Sequence, residues 1–375
     1  MRILWLPHHN WDFIRQGQRE FRLAGLLGAG HEVQFVTWRE VRSKPLSALA
    51  SLRRRSWQAD GFAIHQARRV PNVLGRRVHE ASDRGLRINE LLHARTVREI
   101  VRRERIDVVI CGISHQSVGL PPDDLPVPLV FDYLDFKLER SPDLELEYLR
   151  RADAVMCTSR VLVDRVARLN VDGHYLPNGV DLDAAARADP ERVRRRYGLN
   201  GQPVVSLIGV TASRQPFYVD AIAEVARDVP GLVFLLVGDG GELGESMLRR
   251  AREHGLRVIA TGPVPPSEVA HFFAASDVGL YPGDQTPYFD AACPLKVLEY
   301  SAAGKPVVAT DLEELRNWSF PNVRLAAPTA SAFARELRQA LERPHVTPDL
   351  AGFRWSTLGD RLQRLLEGVV ARGKG

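Results

Sequence analysis

Short apolar runs alternate with amphipathic stretches along almost the whole chain. Ile3 to Leu6, Val33 to Val36, Val108 to Cys111, Leu129 to Asp132 and Val155 to Thr158 are too short for helices, and they predict buried strands. Between them, helical spacing of apolar positions predicts helices over Gln18 to Leu27 and Ile88 to Arg105. The segment Leu176-Pro177-Asn178-Gly179-Val180-Asp181 is rich in turn formers and interrupts this rhythm. A charged helix follows over Pro190 to Tyr197, and the alternation restarts with Val204 to Ile208, Phe234 to Val237, Val258 to Ala260, Val278 to Tyr281 and Val307 to Ala309. Strands that alternate with helices build parallel sheets flanked on both faces. The restart predicts an α/β protein of two Rossmann-like, doubly wound parallel-sheet domains, residues 1–177 and 178–355, facing a cleft. A helix reaching about Glu342, a Pro-containing loop and a last amphipathic helix close the chain. That last helix, 356–375, is expected to pack back on the first domain.

The stretch from Asp290 to Asp311, DAACPLKVLEYSAAGKPVVATD, carries the most chemistry. Val297, Leu298, Tyr300 and Ala302 predict an apolar helix that opens just after Pro294-Leu295-Lys296, stops at Gly304 and leads into the strand Val307 to Ala309. A helix start concentrates unpaired N–H groups and the positive end of the helix dipole, a setting that suits a diphosphate. Lys296 adds a mobile cation there, and the Glu299 carboxylate is able to accept hydrogen bonds from a vicinal diol such as a ribose. The chain has neither a G-x-G-x-x-G turn nor a Walker loop, which turns this pocket away from dinucleotide and ATP-hydrolysing classes.

Composition narrows the setting. With 375 residues, 45% hydrophobic and 26% charged, the chain has the profile of a soluble globular protein with room for two cores. No apolar run approaches the ~18 residues of a membrane span, and the opening MRILWLPHHN reads as a strand rather than a signal peptide. Cys111, Cys157 and Cys293 are few, odd in number and without metal-ligand spacing, which points to a reduced, cytoplasmic protein. The net charge of +5 is unevenly spread: residues 39–106 hold 17 Lys and Arg against 7 Asp and Glu. Such a block fits either a solvated arginine-rich surface or an anionic surface such as the inner membrane leaflet. Nucleic acid is disfavoured, because aromatic stacking platforms are not interleaved with the arginines.

Several segments, taken together and in order, resemble the retaining glycosyltransferases of the two-Rossmann-domain architecture called GT-B, and within it family four. They are Gly30-His31-Glu32-Val33, Ala152 to Ser159, Pro177-Asn178-Gly179-Val180-Asp181, Val237-Gly238-Asp239-Gly240, Thr261 to Pro265, Ala275 to Val278 and, best of all, Pro294 to Val308. Trp11 with Arg15, Gln16 and Gln18 is similar to a subgroup with a Trp-Asp and Arg-x-x-Gln loop. The resemblance implies a nucleotide-diphosphate sugar as donor, transfer to an acceptor hydroxyl with retention, and no bound metal or other cofactor. The acceptor would be a sugar, a lipid-linked glycan intermediate or a small molecule. The second domain would hold the donor through Glu299, Lys296, Leu295, Arg214, Asp290 and Gly238. The first would supply His115, Asp132 and Asp135 as catalytic candidates, and His8 and Trp11 on the acceptor side.

Each of those residues also has a plainer reading: Asp290 as the cap of a following turn, His115 as a turn histidine, and Asp132 and Asp135 as partners of local backbone. Closure of the two domains would bring donor to acceptor and shut out the water that hydrolyses the donor. Two departures from the family pattern stand out. The first of its two glutamates falls on Ala291, and the loop Gly209 to Pro216 has a single base, Arg214. They leave open a nucleotide-sugar 2-epimerase of the same architecture and a non-catalytic partner subunit.

Overall fold

Residues 1–38, 55–68, 83–112, 124–134, 142–209, 215–238, 241–342 and 346–373 are described by a computed structural model of the chain. His115, Asp135 and Arg214 lie outside these residues, as do 39–54 and 69–82 of the basic region. The chain divides into two compact units: Met1–Pro177 with Trp355–Gly375, and Asn178–Arg354.

In the first unit the apolar runs become strands because both of their faces are covered. These are β1 (Arg2–Leu6), β2 (Glu32–Thr37), β5 (Val108–Gly112), β6 (Leu129–Tyr133) and β7 (Ala154–Cys157). Three further strands, β3 (Arg55–Ala59), β4 (Phe62–Gln66) and β8 (Gly173–Tyr175), extend the sheet at its edges. The eight-stranded order is β3-β4-β2-β1-β5-β6-β7-β8, parallel except for the β3–β4 hairpin. Its turn is Asp60-Gly61, both at positive φ (50° and 84°), as a two-residue turn that matches strand twist requires.

One face of this sheet is covered by the Arg19–Leu27 helix, through Leu23, Ala24 and Leu27. The same core takes in Leu358, Leu362, Leu366, Val369 and Val370 of the Trp355–Gly373 helix. Contact between these helices is close: a Cβ placed on Gly359 would lie 3.1 Å from Leu26.

Among the described residues, the second unit has six strands, parallel throughout: β9 (Val204–Ile208), β10 (Val233–Val237), β11 (Arg257–Ala260), β12 (Val278–Tyr281), β13 (Val307–Thr310) and β14 (Val323–Ala326). The order β11-β10-β9-β12-β13-β14 reverses direction between β9 and β12. That is the topological switch point, where open α/β sheets bind ligands at the strands' carboxyl ends. Beneath it, the Tyr300 hydroxyl joins Ser206 and Ser276 in a buried network, with Ser206 Oγ 2.8 Å from Tyr300 Oη and 2.6 Å from Ser276 Oγ. Gly279 in β12 makes room for the Tyr300 ring, since a Cβ there would approach it to 2.5 Å.

Candidate active site

The apolar helix of the 290–311 stretch spans Leu295–Ala302, so Lys296 lies in its first turn rather than in the turn before it. Its N-cap is Pro294, which has no side chain able to cap. The N–H groups of Leu295 and Lys296 precede the first possible intrahelical acceptor, whereas those of Val297 and Leu298 donate to the Pro294 carbonyl. Lys296 Nζ lies 2.8 Å from Glu299 Oε2, an i,i+3 ion pair in which both side chains are only partly exposed.

The order of that pair is informative. A cation at a helix start opposes the dipole, and Lys preceding Glu is the weaker arrangement on a helix, by a few tenths of a kcal/mol. Helix stability therefore gives no reason for a lysine at this position.

Glycines shape the floor beneath Lys296. Gly209, just past β9, has φ 98°, and an added Cβ would sit 3.0 Å from Lys296 Cε. Gly238, just past β10, has φ 113°; its N–H donates to the Gly262 carbonyl, and the Gly209 N–H donates to that of Val237. Two strand ends, those of β9 and β10, thus turn sharply here, with an added Cβ on Gly238 coming within 3.6 Å of Gly209. The Lys296 ammonium also stands 5.5 Å from the centre of the Phe273 ring, which helps hold it in place.

The structure sorts the other candidates. Leu295 is the first residue of the helix and half-buried, so it offers its backbone N–H. Asp290 accepts from the Glu313 N–H at 3.0 Å, at the start of the Glu313–Trp318 helix, so its carboxylate caps that helix. Ala291, at the first glutamate position, is buried.

In the first unit, three candidates prove to be enclosed. Trp11 lies in the aromatic core, with ring centres 5.3 Å from Phe35 and 5.9 Å from Phe21, and does not line an acceptor surface. His8 is buried beside His9, and its backbone N–H donates to Glu20 Oε1 at 3.2 Å. Asp132 is fully buried within β6 and pairs with the equally enclosed Arg19 at 3.4 Å, so it is shielded rather than free to take a proton from solvent.

Arg19 and Glu20 went unnoticed in the sequence. The periodicity that buries Leu23, Ala24 and Leu27 also buries both, one turn earlier on the same face. Arg19 donates to the carbonyls of Leu176 (2.8 Å) and Pro177 (2.5 Å) as well as to Asp132. Burial raises the Glu20 carboxyl to about 6, helped by the negative charge of Asp132 and offset in part by Arg19 and backbone donors. Among the described residues, no group of three or more His, Cys, Asp or Glu could hold a metal ion, and no helix is long and apolar enough to cross a membrane.

Known proteins are similar to this chain in sequence and in fold. Residues 202–343 match the family described as Glycosyl transferases group 1. A Bacillus subtilis protein named for a glycosyltransferase role in teichuronic acid biosynthesis is 32% identical over 50% of this chain and 48% of its own. The 2-deoxystreptamine glucosyltransferase of Streptomyces kanamyceticus is 30% identical over 55% of each. The chain thus spans about half the length of the curated relatives it matches. Among solved structures, Anabaena HepE in complex with UDP superposes with a TM-score of 0.68, covering 98% of this chain and 100% of that one at 16% identity. That likeness shows a shared GT-B fold. Through residues 202–343, which build most of its second unit, the chain is similar to the glycosyl transferases of group 1.

Proposed function

We propose that the protein is a glycosyltransferase that takes a sugar from a nucleotide-diphosphate donor and delivers it to an acceptor hydroxyl with retention. One observation carries the donor reading: an uncapped helix start with a lysine in its first turn, beside strand ends opened by Gly209 and Gly238. As the donor breaks, negative charge grows on the departing diphosphate, and fixed dipoles and cations stabilise it most where they need not reorganise. The Leu295 and Lys296 N–H groups and the Lys296 ammonium are those elements. On this reading the protein supplies the counter-charge without a metal, and turnover is insensitive to a chelator.

Glu299 would trade its bond to Lys296 for the ribose hydroxyls, which frees the ammonium for phosphate. A thermal-shift panel of UDP-, GDP-, dTDP- and ADP-sugars tests the proposal, because a ligand that binds only the folded state raises the melting temperature. One of them should raise it, and Glu299→Ala should weaken that ligand by about ten- to a hundredfold, the loss of hydrogen bonds to a charged group. Unchanged affinity in Glu299→Ala would remove the ribose from this position.

Glycan and small-molecule acceptors both fit the relatives' names. The lipid-linked class draws support from the Asp83–Glu104 helix, where Leu91, 70% exposed, shares a face with the exposed Arg95 and Arg102. A cytoplasmic enzyme resting on an anionic leaflet would use such a face. Flotation with anionic vesicles at low salt tests it, and a protein left wholly in solution argues for a soluble acceptor.

A further inference from the structure

The polypeptide crosses between its two units twice, first at the peptide that joins Pro177 to Asn178 and again between Arg354 and Trp355. The two ends of the planar 177–178 group are held by different units. Its carbonyl oxygen, on Pro177, accepts from Arg19 Nη1 at 2.5 Å, and the preceding carbonyl, of Leu176, accepts from Arg19 Nη2 at 2.8 Å. Both bonds belong to the first unit, where Arg19 is 6% exposed and braced by the fully buried Asp132. The amide hydrogen, on Asn178, points to Cys293 Sγ at 3.2 Å, and Asn178 Nδ2 donates to the Cys293 carbonyl at 3.2 Å. Those bonds belong to the second unit, and Cys293 stands two residues before the Leu295–Ala302 helix.

Geometry limits what such a peptide can do. The group is planar, and the proline ring fixes Pro177 φ. Rotation about Pro177 ψ carries the carbonyl away from Arg19, while rotation about Asn178 φ turns the N–H away from Cys293. Relative motion that uses either bond must break one of the two hydrogen bonds. A planar guanidinium reaches two carbonyls and a carboxylate together, which a lysine ammonium does not.

We propose that the 177–178 peptide is a two-sided clamp, and that Arg19 and Cys293 are positioning residues that set how readily the chain rotates there during turnover. The turnover part rests on the glycosyltransferase reading; the clamp itself does not.

Amide hydrogen exchange at Asn178, measured on the full chain, tests the clamp directly. Cys293→Ala should speed exchange at that amide by about three- to tenfold, the loss of one modest hydrogen bond, and Cys293→Ser should restore much of the protection. Arg19→Lys should change kcat by about fivefold or more while donor affinity, a property of the second unit, stays within about twofold. Exchange at Asn178 that is the same in Cys293→Ala and wild type overturns the clamp, and an Arg19→Lys enzyme with unaltered kcat overturns its part in turnover. If the wild type binds no sugar nucleotide, the donor reading falls, and the exchange measurement alone decides the clamp.

Discussion

Replacing Glu20 by glutamine isolates the cost of a buried charge. The carboxyl is 3% exposed, shares its surroundings with Asp132 and is raised from 4.5 to about 6. A carboxyl whose folded value lies above its unfolded one binds more protons in the folded state between those values. Its contribution to stability is therefore fully present below pH 4.5 and lost as the pH rises through about 6. A shift of that size corresponds to about 2 kcal/mol. Glutamine keeps an oxygen for the His8 N–H but cannot ionise. Glu20→Gln should match wild type near pH 4.5 and exceed it by about 2 kcal/mol above pH 7.

Tryptophan fluorescence suits the assay, because five of the six tryptophans, all but Trp318, belong to the first unit. Urea titrations at half-unit steps from pH 4.5 to 7.5 would give the difference directly. A difference that stays flat across this range, or a variant less stable than wild type at pH 7, would refute the reasoning. Either result would mean that Arg19 neutralises Glu20 more fully than burial penalises it.

Gly279→Ala forces a methyl group against the Tyr300 ring at 2.5 Å and should cost about 1–3 kcal/mol or more in urea unfolding of the second unit. Gly209→Ala strains a backbone at φ 98° and pushes on Lys296 Cε, so donor affinity measured calorimetrically should fall about tenfold or more. Asp290→Ala removes the carboxylate at the start of the Glu313–Trp318 helix and should cost about 1 kcal/mol of stability with nucleotide affinity unchanged. A large affinity loss in that variant would return Asp290 to the donor site.

The parallel strands were legible because a strand buried on both faces is apolar almost throughout, as Val233–Val237 and Ala154–Cys157 are. Edge strands escape that rule. β3 reads Arg-Ser-Trp-Gln-Ala and is almost wholly exposed, so nothing in its pattern announces it except the Asp60-Gly61 turn. β8, with three residues, is too short to carry a pattern. In the second unit, the placing of Lys296 and Glu299 near a helix start was readable, because four consecutive residues set that geometry locally.

The burial of Asp132 and Trp11 was not readable, since it depends on partners more than a hundred residues away in one case and on three separate strands and helices in the other. Arg19 was hidden by company: in an arginine-rich chain, one more arginine in a helix's first turn attracts no notice. Its helical phase, shared with Leu23, was the signal.

The first unit is discontinuous in sequence, closed by a helix that begins only at Trp355. A ribosome finishes the whole second unit before it makes that helix. Until then, the apolar surface that will receive Leu358, Leu362 and Leu366 waits uncovered beside Leu23 and Leu27. The second unit, continuous from Asn178 to Arg354, needs nothing made later. Synthesis and folding therefore run in opposite orders here: the half translated first is the half completed last, and a premature stop after residue 354 would spare the second unit while leaving the first with an open seam.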